Sequence, residues 1–151
     1  MASDRGQVEA LLPHRDPFLF VDRIEARGEG SIRTGWDVDP GLECFRGHYP
    51  AHPVLPGVLI CEFCFQSGAL LLYASEQEFR SHSGIPVLAR IQDARFKRIV
   101  RPGEALTADV RLEKSMAMAR FLSAKVLSRN ALVARVRFVL AMATKDAGEP
   151  A

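Results

Sequence analysis

Residues Gly57–Ala74 read GVLICEFCFQSGALLLYA, an 18-residue apolar stretch whose interpretation decides the fold. It approaches the length of a membrane-spanning helix. Pro56 suits a helix start, no proline interrupts the run to about Tyr73, and the segment is longer than strands normally are. The spacing therefore predicts a helix. Its apolar residues lie on every side, so in water other elements must wrap it. Glu62 and Gln66 sit near its middle, where lipid would penalise both. A buried helix of a water-soluble domain is the expected reading.

Segments on both sides of this helix supply the wrapping. Leu106, Ala108, Val110 and Leu112 alternate with Thr107, Asp109, Arg111 and Glu113; similar alternation runs through residues 122–126 and 132–140. Each segment reads as a strand with one core face. Pro86–Ile99 predicts a further strand, bent or bulged, and Arg101–Glu104, Lys114–Ala119 and Arg129–Asn130 read as turns. Upstream, PFLFVDRIEA (17–26) and SIRTGWDV (31–38) predict a hairpin around Arg27–Gly30. Val8, Leu11 and Leu12 suggest a short helix stopped by Pro13, and residues 39–56, with four prolines, read as a long loop without regular structure. A hairpin, a loop, one buried helix and several antiparallel strands make an α+β pattern, a curved antiparallel sheet around a long central helix.

Composition narrows the functional classes. The 151 residues, 48% apolar and 25% charged with a net charge of +2, fit a single domain over 1–151 with a polar tail from about 145. The balanced charge argues against a dedicated nucleic-acid binder. Three cysteines are too few for a disulfide scaffold, and the N-terminus lacks the layout of a signal peptide, so a cytoplasmic location is expected.

The residues that carry chemistry lie on and before the helix. Glu62 shares a helical stripe with Val58, Gln66, Ala69 and Tyr73. A carboxyl among apolar neighbours has a raised pKa unless donors or a cation meet it, which makes it either a useful acid or a structural buried group satisfied by Gln66. His48 stands in Gly47-His48-Tyr49-Pro50, a loop able to present an imidazole; a lone loop histidine can equally be incidental. Gly57 and Val58 contribute the first N–H groups of the helix, at its positive end, a natural oxyanion cradle, although Gly57 can also serve a tight turn after Pro56. Cys61 and Cys64 spell C-x-x-C but within an apolar helix read as core thiols. His48, His52 and Glu62 match no zinc spacing, so no metal is expected.

PHRDPFLFVDRI, FRGHYPAHPVLPGVLICEFCFQ and DARFKRIVRPGE follow the order and spacing of the (3R)-hydroxyacyl-acyl-carrier-protein dehydratases of fatty-acid synthesis. The resemblance, to the FabZ type, runs from about Leu11 to Ala143. It implies a hot-dog fold with active sites at a dimer interface, where His48 of one protomer and Glu62 of the other form a catalytic dyad. It further implies oxyanion donors at Gly57 and Val58, support from Gln66, and dehydration of hydroxyacyl to trans-2-enoyl thioesters. No cofactor is implied beyond the phosphopantetheine arm of the acyl carrier protein. A homodimer is the minimal unit, with a trimer of dimers left open.

Acyl carrier protein is acidic, so the basic run Arg95, Lys97, Arg98 and Arg101, otherwise an ordinary solvated face, becomes a candidate contact surface. The chain departs from the family pattern at Phe63, Cys64 and Phe65, where small residues and methionine are usual, and at Asp16. Phe63 and Phe65 are acyl-tunnel candidates that would narrow or redirect the tunnel or repack the dimer interface, either outcome altering chain-length preference. A specialised pathway, such as polyketide or aryl-polyene synthesis, stays open beside general fatty-acid synthesis. The alternatives are a hot-dog thioesterase and a non-catalytic acyl- or carrier-binding protein. His14 and His82 read as structural and incidental.

Overall fold

The computed structural model describes residues 4–77, 79 and 84–144. Helix α1 (Arg5–Leu11) is capped by the Asp4 side chain, which accepts from Gln7 N at 3.1 Å, and buries Val8. Strands β1 (Arg23–Gly28) and β2 (Ser31–Asp37) form the expected hairpin, its turn reduced to Glu29–Gly30 with Gly30 in the left-handed region. After a loop containing the single-turn helix α2 (Cys44–Gly47) comes α3 (Gly57–Ser75). Strands β3 (Gly84–Phe96), β4 (Ala105–Met116), β5 (Ala119–Ser128) and β6 (Ala131–Thr144) complete the fold.

All pairings are antiparallel, in the order β1-β2-β4-β5-β6-β3. Helix α3 lies against strands β2 to β6. Every residue from Phe63 to Tyr73 is buried, so the run that is long and apolar enough to cross a membrane faces the sheet instead. The alternating apolar residues meet it: Leu106, Ala108 and Val110 of β4, Leu122, Ala124 and Val126 of β5, Ala134, Val136 and Phe138 of β6. Each buried Leu or Phe contributes roughly 1.5–3 kcal/mol. Gly68 lets α3 approach closely, since a Cβ there would stand 3.0 Å from the Phe138 ring. A polar contact enters this layer, Thr34 Oγ1 to Ser67 Oγ at 2.7 Å, while Ser67 Oγ also donates to Phe63 O.

Three expectations need correction. Residues 17–22 are not strand; β1 begins at Arg23, because the backbone of Phe18 and Phe20 is taken by a helix side chain rather than by a neighbouring strand. The loop over 39–56 contains α2, one turn anchored by buried Phe45 and too short to show a period. The β4–β5 turn is only Ala117–Met118 rather than Lys114–Ala119, with Ala117 in the left-handed region. Asp16, the second departure from the family pattern, pairs with Arg5, which also reaches Asp22 at 2.8 Å, so it ties α1 to the chain ahead of β1. The bent strand is as expected, with irregular register at Leu88/Arg90 and Ile91/Asp93. The tail from 145 and His82 lie outside the described residues.

Candidate active site

Gln66, 1% exposed, organises the first half of the site. Its Oε1 accepts from Phe20 N at 2.8 Å, and its Nε2 donates to Phe18 O at 3.0 Å and to Glu62 Oε1 at 3.2 Å. The amide thus fixes the 18–20 segment to α3 and orients the carboxyl one turn earlier. Burial pushes the Glu62 pKa up, and the Gln66 donor only partly offsets this. The carboxyl opens on a cavity of about 250 Å³, walled by Pro13, Phe65, Ala69 and Tyr73, and on the sheet side by the β3 segment Ile85–Leu88 and Leu140. His14 also lines it, with Nε2 3.9 Å from Glu62 Oε1. Burial lowers the His14 pKa, and its buried Nδ1 has no partner among the described residues. The cavity therefore holds a carboxyl biased toward its acid form beside an imidazole biased toward neutral.

His48 follows α2, with its backbone N–H donating to Cys44 O at 2.9 Å. Its Nδ1 lies 2.9 Å from Val54 O. A carbonyl can only accept, so Nδ1 donates this bond, and in the neutral ring Nε2 is the nitrogen left to accept a proton. Tyr49 follows in the left-handed region at φ 56°, a conformation costing a non-glycine residue on the order of 1–3 kcal/mol. Its ring meets His48 edge-on at 4.8 Å. Among the described residues, no hydrogen bond or ion pair joins His48 to Glu62, and His48 does not line the Glu62 cavity.

At the start of α3, Leu59 N and Ile60 N turn back to Pro56 O. The two N–H groups before them, of Gly57 and Val58, have no such bond, and Val58 is 74% exposed. The Phe96 ring rests on Gly57, where a Cβ would stand 3.1 Å from it. Glycine here admits an aromatic ring beside the first residue of a positive helix end.

The remaining candidates separate. Phe65 lines the cavity and stacks edge-on with Phe138 at 5.0 Å. Phe63 does not line this cavity: it is fully buried, with its ring 5.5 Å from that of Trp36. Arg98 is engaged by Glu104 at 2.6 Å, while Arg95, Lys97 and Arg101 are exposed. Cys61 and Cys64 are buried free thiols with pKa values raised by burial, which suits packing rather than redox chemistry. His14, read from the sequence as structural, lines the Glu62 cavity, and Tyr49 packs its ring against His48. Both stand inside the quoted blocks PHRDPF and GHYP, a signal that was available.

A six-stranded antiparallel sheet wrapped around one long helix defines the hot-dog class of proteins. Within it, residues 12–137 match the FabA-like domain, and the chain belongs to the FabA-like family. A 3-hydroxyacyl-(acyl-carrier-protein) dehydratase FabZ of Polynucleobacter necessarius is 36% identical, with 97% of both chains covered. The dehydratase of that name from Chloroflexus aggregans is 44% identical over 72% of this chain and 74% of its own. Among solved structures, the dehydratase heterocomplex ApeI:P from Xenorhabdus doucetiae shares the fold, with a TM-score of 0.75 at 14% identity and 92% of each chain covered.

Proposed function

We propose that this protein dehydrates (3R)-hydroxyacyl thioesters carried on acyl carrier protein to trans-2-enoyl thioesters, working in the cytoplasm as a homodimer. The observation that carries the reading is Glu62, a carboxyl with a raised pKa opening on an apolar cavity large enough for an acyl chain. Dehydratase relatives of matching length support it.

His48 Nε2 takes the C2 proton. Negative charge that develops on the thioester oxygen is met by the N–H groups of Gly57 and Val58. The electron pair forms the C2–C3 double bond as the C3–O bond breaks, and the Glu62 proton leaves with the hydroxyl as water. His48 then holds a proton and Glu62 a charge, and proton return resets the pair. The reaction runs backward as hydration.

Two features support sharing of the site between protomers. His48 and Glu62 do not meet within one chain. Strand β3 is also a sheet edge whose Ile85, Val87, Leu88 and Ile91 side chains are exposed, a surface suited to pairing with a second copy. The deciding experiment follows hydration of a crotonyl thioester by enoyl absorbance, with thiol release as the check for hydrolysis. His48→Ala and Glu62→Gln should each lose about two or more orders of magnitude. Near-normal turnover by either variant overturns the reading.

A further inference from the structure

The peptide group joining Val54 to Leu55 is bonded at both edges. Its carbonyl accepts from His48 Nδ1 at 2.9 Å, and its N–H donates to Val100 O at 2.8 Å. The peptide group joining Val100 to Arg101 repeats the pattern: its carbonyl is the acceptor just named, and its N–H donates to Glu104 Oε2 at 2.6 Å. An unbroken line of three hydrogen bonds thus runs from the Glu104 carboxylate, through two planar peptides, to the imidazole of His48. Every bond in it points the same way. Negative charge at the carboxylate draws on the Arg101 N–H, which makes Val100 O a stronger acceptor, and the same step repeats at Val54 O. At the far end the Nδ1 proton of His48 is held toward Val54 O, which keeps Nε2 as the proton-accepting nitrogen.

The carboxylate that ends the line is itself anchored. Arg101, Pro102, Gly103 and Glu104 form a tight turn, closed by Glu104 N donating to Arg101 O at 3.3 Å, with Gly103 in the left-handed region at φ 88°. Gly103 N donates to Val38 O at 2.8 Å and Val38 N to Glu104 O at 2.9 Å, which clasps the turn to the chain leaving β2. On the side chain, Oε1 accepts from Arg98 Nη2 at 2.6 Å and from Oγ of Ser128, the buried last residue of β5, at 3.0 Å. These two donors occupy Oε1 and leave Oε2 to the Arg101 N–H. Burial by itself would raise the Glu104 pKa, but the Arg98, Arg101 and Ser128 donors outweigh it and hold the value below the ordinary carboxylate range. The group is therefore charged at neutral pH. Val100 and Leu55 are both buried, which shields the central bond from water.

We infer that Glu104 is a positioning residue for His48, its carboxylate fixing, through the 100–101 and 54–55 peptide groups, the carbonyl that selects the nitrogen from which His48 works. The inference rests on the dehydratase reading. The connection that carries Glu104 has a second contact with the site, because Phe96, just ahead of it, rests on Gly57. Movement of residues 97–104 would disturb the base and the start of α3 together. A turn that only stabilised the β3–β4 connection would behave differently. Loss of its carboxylate would lower the melting temperature and leave the bond at His48 as it is.

The experiment compares the wild type with Glu104→Ala and with Glu104→Gln, which keeps the shape and one acceptor but loses the charge. Val110→Ala, a truncation in the buried face of β4, is the control that lowers the melting temperature without touching the line. Each is assayed by hydration of crotonyl N-acetylcysteamine at a temperature where all are folded. The expected result is kcat lowered about tenfold in Glu104→Ala and less in Glu104→Gln, with KM held within about twofold. Val110→Ala should keep the wild-type kcat. The second reading is the His48 Nδ1–H proton in the nuclear magnetic resonance spectrum of the full chain, identified by its loss in His48→Ala. It should move upfield in both Glu104 variants as the bond to Val54 O weakens, and stay in place in Val110→Ala. An unmoved signal in the Glu104 variants overturns the inference, as does wild-type kcat in Glu104→Ala or an equal loss of kcat in Val110→Ala. If Glu104→Ala does not fold, the same two readings on Glu104→Gln decide. If the wild type hydrates no thioester, the dehydratase reading fails instead, and the Nδ1–H signal alone decides: an upfield shift supports the line from Glu104 and an unmoved signal overturns it.

Discussion

Gln66 holds Glu62 from one side and the backbone of residues 18–20 from the other, so a single buried amide couples the orientation of the acid to the path of the chain ahead of β1. Replacing it with leucine keeps the volume and removes every bond. Phe20 N and Phe18 O lose their partner, which should cost roughly 2–4 kcal/mol, measured by urea unfolding. Glu62 also loses the donor that holds its pKa down. The alkaline limb of the activity profile should therefore move to higher pH in Gln66→Leu, and an unmoved limb would show that the amide does not set the acid.

That coupling also marks the boundary of what the sequence discloses. Helix α3 and strands β4 to β6 were legible because their periods are local: no proline over 57–75, and strict alternation where one face is buried. Residues 17–22 have the composition of a strand, but Phe20 N and Phe18 O are satisfied by Gln66, 46 and 48 positions away, which no window can see. Neighbouring cations on the outer face of the sheet are hidden for a related reason. Lys125, Arg135 and Arg95 become neighbours only through the β5–β6–β3 register. His48, Glu62, Gly57 and Gln66 were legible from motif, whereas the cavity that gives Glu62 its chemistry needed β3 and the His14 segment in place.

Separation of His48 from Glu62 within one chain leads to a complementation test. His48→Ala and Glu62→Gln homodimers should each be inactive. Mixed after partial unfolding and refolding, they form heterodimers in which one site carries both substitutions and the other carries neither. Activity should return toward one quarter of the wild-type level for random association at equal amounts, about half the dimers each having one intact site of two. No recovery, with exchange verified by mass, would place both residues of each site on one protomer.

Glu62 and His14 share a cavity but titrate with opposite consequences. Burial raises the Glu62 pKa, so the folded state holds that proton to higher pH than the unfolded chain; its contribution is greatest below the ordinary carboxylate range and is lost as pH rises through the folded value. Burial lowers the His14 pKa, so stability is lost as pH falls from about 6.5 toward the folded value. Glu62→Gln should therefore raise the melting temperature relative to the wild type at pH 8 more than at pH 4. His14→Leu should instead flatten the acid side of the profile. Parallel curves for the wild type and both variants would remove the cavity from the pH response.

Phe63 and Phe65 stand two positions apart and face different surroundings, which separates a stability effect from a specificity effect. Phe63 is fully buried against Trp36, and truncation to alanine should cost roughly 3–5 kcal/mol with little change in the relative rates of short and long acyl substrates. Phe65 walls the cavity of about 250 Å³ and contacts Phe138. Its truncation removes a ring from the wall, so Phe65→Ala should raise kcat/KM for longer chains relative to crotonyl while Glu62 and Gln66 stay in place. The check is a series of enoyl thioesters of increasing length assayed with both variants at a temperature where each is folded. An unchanged profile in Phe65→Ala, or a shifted one in Phe63→Ala, would reverse the assignment of the cavity wall.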